Sequence, residues 1–385
     1  MTRVLLGMLG SNGDCLYATA IARQIKQDFP GCHLTWAISS LCRNVLFNNP
    51  DVDEIWEIPV ASWPEIARAW ALFEIEAHQL AVQGRFDRVF LTQIWPSHFE
   101  NYDGTVRAPL FRNFGRPLTV PIDVTINLTE EETAGVDDWF AKSPGAHASE
   151  VVLFESSSKS GQSFMTIDLA MHLAEAITAA RPQAVAIISS HEAKASANPR
   201  ILSASQLSIR QTARLTHHVD LFVGCGSGLT VAATADVAKQ GLPNIQVLNR
   251  HTSVYASFRH DFAFYGKPTG QFMELTSTDA GHLRSVVLAA LADGFKSAKC
   301  SYDDPVPLTF DWYLHSVKTM LIDQGRFADA MHSLLITAER YGWHPLLKQF
   351  GQHLVWPRLK DDPRCVLPHR KAEVELLRAG IAKPD

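Results

Sequence analysis

The chain lacks most of the signatures by which a sequence declares a simple chemistry. Six cysteines in 385 residues, at positions 15, 32, 42, 225, 300 and 365, form no CxxC pair and no dense framework. Reduced thiols in a cytoplasmic protein are therefore expected rather than a disulfide scaffold. Nowhere do eighteen apolar residues follow one another, which argues against a transmembrane segment. The first apolar run is broken too soon, by Ser11-Asn12-Gly13-Asp14, to serve as a signal peptide. Excess charge is also missing: 35 Lys and Arg against 40 Asp and Glu leave a net charge of -5. With no basic stripe and no interleaving of aromatic and basic residues, nucleic acid is not the expected ligand.

Catalytic motifs are equally sparse. The sixteen histidines include no HExxH, and His217 and His218 stand side by side at a helix end, where both cannot face one ion, so no metal is expected. GxSxG is missing, since in Gly224-Cys225-Gly226-Ser227-Gly228 the serine is fourth, which argues against a serine hydrolase. The P-loop pattern is absent, and GMLGSNGD after the first apolar run has the wrong spacing for a dinucleotide fingerprint. No cofactor is implied.

What is present is a rhythm. A hydrophobic content of 46% over this length supports more than one core. Val4 to Leu9 reads as a buried strand, Gly10 to Gly13 as a turn and Asp14 to Phe29 as a helix. His33 to Ser39 alternates as a strand, DVDEIWEIP gives a third, and Phe86 to Thr92 a fourth. Between the last two, Ser62 and Glu65 form a capping box ahead of a helix to about Val82; Thr129 and Glu132 form another, opening a helix to about Lys142. SPGAHASE then has the composition of a linker. The βα rhythm restarts at VVLFE, with strands at Ala184 to Ser190, DLFVG and NIQVLN, helices at Ile167 to Ala180, Gln206 to His217 and Leu229 to Lys239, and polar or glycine turns between. From Pro305 only helical patterns remain, over Asp311 to Gln324, Arg326 to Tyr341 and Lys371 to Ala382. The expected architecture is α/β, with Rossmann-like units at 1–145 and 146–298 facing a cleft and a helical appendage at 299–385. Small-molecule sites favour such a cleft.

Four loops carry candidate chemistry. Asp14 stands at the mouth of the first helix, where it is either a general base in the crevice or simply a helix cap. SSSKSGQS places Lys159 and Ser160 between a strand and a helix, suited to a diphosphate or merely a solvated connection. The turn containing Gly226, Ser227 and Gly228 permits close backbone approach to a ligand. After the second strand of the second unit come His191 and Glu192, a candidate nucleoside contact; Arg250, Thr252 and Ser253 form a candidate donor-site loop.

These segments resemble the heptosyltransferase family of inverting glycosyltransferases, glycosyltransferase family 9, of GT-B fold. The likeness is carried by GMLGSNGDCLYATAIARQIKQDFPGCHLTWAISSLCRNVLFNNPDVDEIWEIP and by RQTARLTHHVDLFVGCGSGLTVAATA, and it spans about residues 1 to 295. It implies an acceptor-side first unit with Asp14 as base, and a second unit binding a nucleotide sugar. Lys159 would be at the diphosphate and Glu192, loosely, at the nucleoside. The acceptor would be a glycan, a lipid-linked saccharide or a protein. Two positions depart from the family pattern: Gly226 replaces an aspartate, and Val231 stands where a histidine is usual. They keep open a non-catalytic binding or scaffold module, its helical tail a candidate protein contact; a sugar-nucleotide epimerase is the third alternative. The expected place of action is the cytoplasm, including the inner face of the membrane.

Overall fold

A computed structural model describes residues 1–382 apart from 157, 191 and 193. The first half carries a four-stranded sheet of β1 (Arg3–Gly7), β2 (His33–Ser39), β3 (Glu54–Ile58) and β4 (Arg88–Leu91) in the order β3-β2-β1-β4. The second carries six strands: β5 (Glu150–Glu155), β6 (Ala184–Ser189), β7 (Ile201–Ser203), β8 (Leu221–Gly224), β9 (Asn244–Val247) and β10 (Phe272–Leu275). Their order is β10-β9-β8-β5-β6-β7. Every strand pair in both sheets is parallel. The chain therefore returns between strands through crossover segments, and all strand carboxyl ends within one sheet share an edge.

The first half contributes the helices α1 (Asn12–Asp28), α2 (Ile66–Val82), α3 (Arg107–Asn113) and α4 (Glu130–Ala141). The second supplies α5 (Ile167–Ala180), α6 (Ile209–Leu215), α7 (Gly228–Ala232), α8 (Phe258–Phe264), α9 (Ala280–Ala292) and α10 (Phe295–Tyr302). The local reasons are visible. Thr129 caps α4 by accepting from the Glu132 N–H, while Glu130, Glu131 and Glu132 complement the positive end of the helix. In α1, Leu16, Ala18, Ala20, Ile21 and Ile25 are fully buried, as befits a helix covered on more than one face.

Both halves share one core. Leu16, Ile21, Trp36 and Leu110 belong to the same buried cluster as Ala213, Val231, Ala232, Phe258 and Phe262. The SPGAHASE segment is a short 3₁₀ turn over Pro144–His147, capped by Ser143. Buried charges also cross between halves: Arg210 pairs with Glu132 at 2.6 Å and Arg107 with Asp261 at 3.1 Å.

The remaining helices, α11 (Asp311–Val317), α12 (Phe327–Tyr341), α13 (Pro345–Phe350) and α14 (Pro368–Ile381), fold back onto the first half. Phe99 and Tyr102 lie in the same apolar cluster as Tyr313, Met331 and Leu334. Arg326 donates to the Ser97 carbonyl at 2.6 Å, the Ser333 hydroxyl to the Tyr102 carbonyl at 2.7 Å, and Arg340 pairs with the fully buried Asp103 at 2.7 Å. The tail thus packs onto residues 97–103 of the first half. Among the described residues no helix is long and apolar enough to cross a membrane.

Candidate functional site

The carboxyl edges of the two sheets face a cavity of about 750 Å³. From the first half it is lined by Asp14, Tyr17, Trp63 and Arg107 among others; from the second by Glu155, Lys159, Ser227 and Tyr255. A volume of this order suits a small-molecule ligand.

Asp14 is half-buried in this wall. It is the third residue of α1, where its Oδ2 accepts the Ser11 N–H at 3.3 Å. The helix starts at Asn12, two residues before the start expected, so its cap is Ser11, while Asp14 closes the capping box onto Ser11 and also lines the cavity. Burial raises its pKa to about 6, against the opposing effect of the Ser11 hydrogen bond. Such a carboxyl is ionised at neutral pH yet basic enough to take a proton. Beside it, burial pushes the Tyr255 phenol up, with the Asp14 charge adding to the effect.

Lys159 is exposed and lines the cavity, its Nζ 5.8 Å from the centre of the Trp63 ring on the opposite half. Ser160 also lines the cavity; its N–H is turned inward to Gln162 Oε1 at 3.0 Å. Gly226 adopts φ +65°, and a Cβ there would lie 3.0 Å from both Ala256 Cβ and Leu248 Cδ2. The turn is therefore shaped around the absence of a side chain, which accounts physically for a glycine where the resembled family has aspartate. Val231 packs into the core shared by the halves; a Cβ on Gly13 would sit 3.3 Å from its Cγ2.

His191 falls outside the described residues. Glu192 is exposed, and the residues that reach the cavity from this strand end are Ser189 and Ser190. Arg250 is exposed and 3.8 Å from Asp304. Thr252 donates to the Asn249 carbonyl at 2.9 Å. Ser253 donates to the Pro307 carbonyl at 3.1 Å and accepts from the Thr309 N–H at 2.8 Å. None of these three lines the cavity; their hydrogen bonds fix the loop and the start of the tail.

Two buried groups at the site escaped the sequence reading. Arg107 is 2% exposed, stacked 4.2 Å from the centre of the Tyr17 ring, with Nε and Nη1 lacking any hydrogen-bond partner. Glu155, at the end of β5, is 1% exposed. It accepts from the N–H groups of Cys225 (2.8 Å) and Thr230 (3.0 Å) and from the hydroxyls of Ser227 and Thr230. The Ser227 hydroxyl, expected to face a phosphate, is thus committed to a carboxylate of its own chain. The helix expected from Leu229 to Lys239 is only Gly228–Ala232. Asp236 lies beyond it, donating its N–H to the Val124 carbonyl and accepting from the Ile126 N–H. Those bonds to the first half draw the chain out of helical geometry.

Two parallel α/β units facing a cleft, with a helical appendage, constitute a GT-B architecture. No protein-family model and no curated protein sequence matches the chain. Among solved structures it is similar to a glycosyl transferase family 9 protein from Veillonella parvula, at 14% identity over 77% of this chain and 93% of that one, with a TM-score of 0.49. Similarity also extends to E. coli ADP-heptose lps heptosyltransferase II, at 14% identity, 76% and 99% coverage and a TM-score of 0.48. A putative UDP-N-acetylglucosamine 2-epimerase from Listeria monocytogenes is similar at 10% identity, 85% and 96% coverage and a TM-score of 0.48.

Proposed function

We propose that the chain is an inverting, metal-independent glycosyltransferase that moves a sugar from a nucleotide-sugar donor to a hydroxyl of a glycan, lipid-linked saccharide or protein. The observation that carries this reading is Asp14: a cavity-facing carboxylate at a strand's carboxyl edge, with a pKa of about 6. Asp14 takes the proton of the acceptor hydroxyl as that oxygen bonds to the anomeric carbon. The opposite bond, from the anomeric carbon to the donor phosphate oxygen, breaks, and its electron pair leaves with the phosphate. Lys159, at the cavity rim from the second unit, supplies positive charge toward the leaving group. In this reading residues 1–145 hold the acceptor, 146–298 the donor, and 299–385 fasten the end of the chain to the first unit. Action in the cytoplasm, at the inner membrane face where the acceptor is lipid-linked, belongs to the same proposal.

The test is transfer by wild type and D14N across a panel of nucleotide sugars and acceptors, read by mass spectrometry of the glycosylated product. D14N is expected to lose about a thousandfold in rate while ligand binding changes less than threefold. Full transfer by a folded D14N would remove Asp14 as base. A second reading, a non-catalytic binding module, is favoured by the commitment of the Ser227 hydroxyl to Glu155. Wild type that binds a nucleotide yet transfers from no donor would establish it.

A further inference from the structure

We propose that Tyr255 is a further catalytic residue of the cavity, donating a hydrogen bond to the phosphate oxygen that departs from the anomeric carbon, and that the helical tail holds it there through Ser253. The inference rests on the transferase reading above. Its first support is position. Tyr255 belongs to the segment Arg250–Ala256, between β9 and α8 of the second unit, and lines the cavity together with Asp14 and Ser160. The Asp14 charge acts on its phenol from the first unit, and the Ser160 side chain acts on it from the loop that carries Lys159. The phenol is thus within reach of the base and beside the loop on the leaving-group side. An inverting displacement puts the incoming and departing oxygens on opposite sides of the anomeric carbon. Asp14 attends to the first, and a hydrogen-bond donor from the second unit attends to the other, where negative charge develops. A phenol suits this place better than a cation. A positive charge so near Asp14 would draw its pKa down and weaken it as a base, whereas a neutral O–H leaves it basic. Burial and the Asp14 charge both hold the Tyr255 proton in place, so the phenol lends a hydrogen bond and gives up no proton.

The second support is the way the loop is held. Ser253, two residues before Tyr255, has φ +51° and ψ −140°, a left-handed conformation that favours glycine. Its hydroxyl donates to the Pro307 carbonyl at 3.1 Å and accepts from the Thr309 N–H at 2.8 Å, both at the start of the tail. A glycine would relax the dihedral and lose both bonds. The Tyr255 ring packs against the apolar cluster of the tail, its centre 6.0 Å from that of Trp312 in α11. The tail therefore imposes on this loop a conformation that serine does not favour, and the side chain so fixed is the phenol at the cavity wall. Ser253 is a positioning residue, acting through Tyr255.

The test is steady-state transfer by wild type, Y255F, Y255L, S253A and the double variant Y255F/S253A over the same panel of nucleotide sugars and acceptors, with the melting temperature of each recorded. Y255F keeps the ring against Trp312 and Y255L removes it. Both are expected to lower kcat about a hundredfold, with donor KM changed less than about threefold. S253A leaves the phenol present but unclamped, and is expected to lower kcat about tenfold. In the Y255F background the same substitution should cost less than about twofold, because the group it positions is gone. A folded Tyr255 variant with undiminished kcat, or with a loss confined to KM, would overturn the proposal. S253A at the full wild-type rate, or equally damaging with and without the Tyr255 hydroxyl, would overturn the part given to the tail. Transfer by wild type and by Y255F alike would sink this inference and leave the transferase reading intact. Wild type that transfers from no donor would sink both.

Discussion

The turn after β1 and the turn after β8 each lead a parallel strand over glycine into a helix, and the two meet at Gly13 and Gly228. In the first, the local carboxylate, Asp14, faces the cavity and holds its own helix start with one long hydrogen bond, 3.3 Å from the Ser11 nitrogen. In the second there is no local carboxylate. The third helical position there is Thr230, and Glu155 arrives from a neighbouring strand to receive four hydrogen bonds. Asp14 is held by Ser11 alone and, in the proposed reading, remains available to a substrate proton, whereas a carboxylate with four donors is committed to structure. Under the proposed function, similar local topology therefore yields a reactive side and a satisfied side. The site's chemistry depends on which carboxylate is left under-bonded.

The largest effect that would sharpen this contrast is the pH dependence of transfer. With Asp14 as base at a pKa of about 6, the reactive form is lost as pH falls. In wild type kcat/KM is then expected to approach a tenfold drop per pH unit below that value, or roughly fiftyfold between pH 6 and pH 4. E155Q should leave this limb near pH 6, because Glu155 takes no part in the proton transfer. A flat profile down to pH 4, measured with a fully folded enzyme, would break the assignment of the reactive side to the first turn.

A smaller effect tests whether the second turn is fixed by sterics. At Gly226 the left-handed backbone and two 3.0 Å contacts act together, whereas Gly161, at φ +71°, has nothing within 4 Å of its added Cβ. G226A is expected to cost about 2–3 kcal/mol and G161A about 1 kcal/mol in urea unfolding, the difference being the overpacking. G226D should destabilise at least as much as G226A. Equal costs for G226A and G161A would show that the glycine is retained for its dihedral alone.

Much of this contrast could be read from the chain, and the part that could not has a definite cause. β2 and α5 occupy the spans expected, His33–Ser39 and Ile167–Ala180, because alternation and a capping Thr166 are local signals. Asp14 was legible for the same reason, standing in its own turn. Glu155 was not: it closes VVLFE, reading as the end of a strand, and its partners lie 70 to 75 residues further along. Arg107 was hidden likewise, since its ion pair with Asp261 joins opposite halves. β7, three residues long, is too short to print a pattern before the sheet forms. Local chemistry announces itself in sequence, whereas the satisfaction of a buried group is a property of the assembled sheets.

The smallest effect expected concerns the stability cost of keeping Asp14 available. Its folded-state pKa of about 6 lies above the ordinary 3.8, so the folded chain holds that proton more tightly than the unfolded chain. Native stability is therefore lost through this group as pH rises from about 4 to about 6 and is constant above. The corresponding ceiling is roughly 3 kcal/mol, and partial solvent access at the cavity wall reduces it. D14N, which keeps an oxygen for the Ser11 N–H, is expected to be more stable than wild type by about 1 kcal/mol at pH 8, with the advantage vanishing near pH 4. Denaturation at the two pH values measures it. A variant that loses transfer while gaining stability would mark the first turn as held short of its stability optimum. Destabilisation of D14N at pH 8 would instead show that this carboxylate, like Glu155, is there to hold its helix.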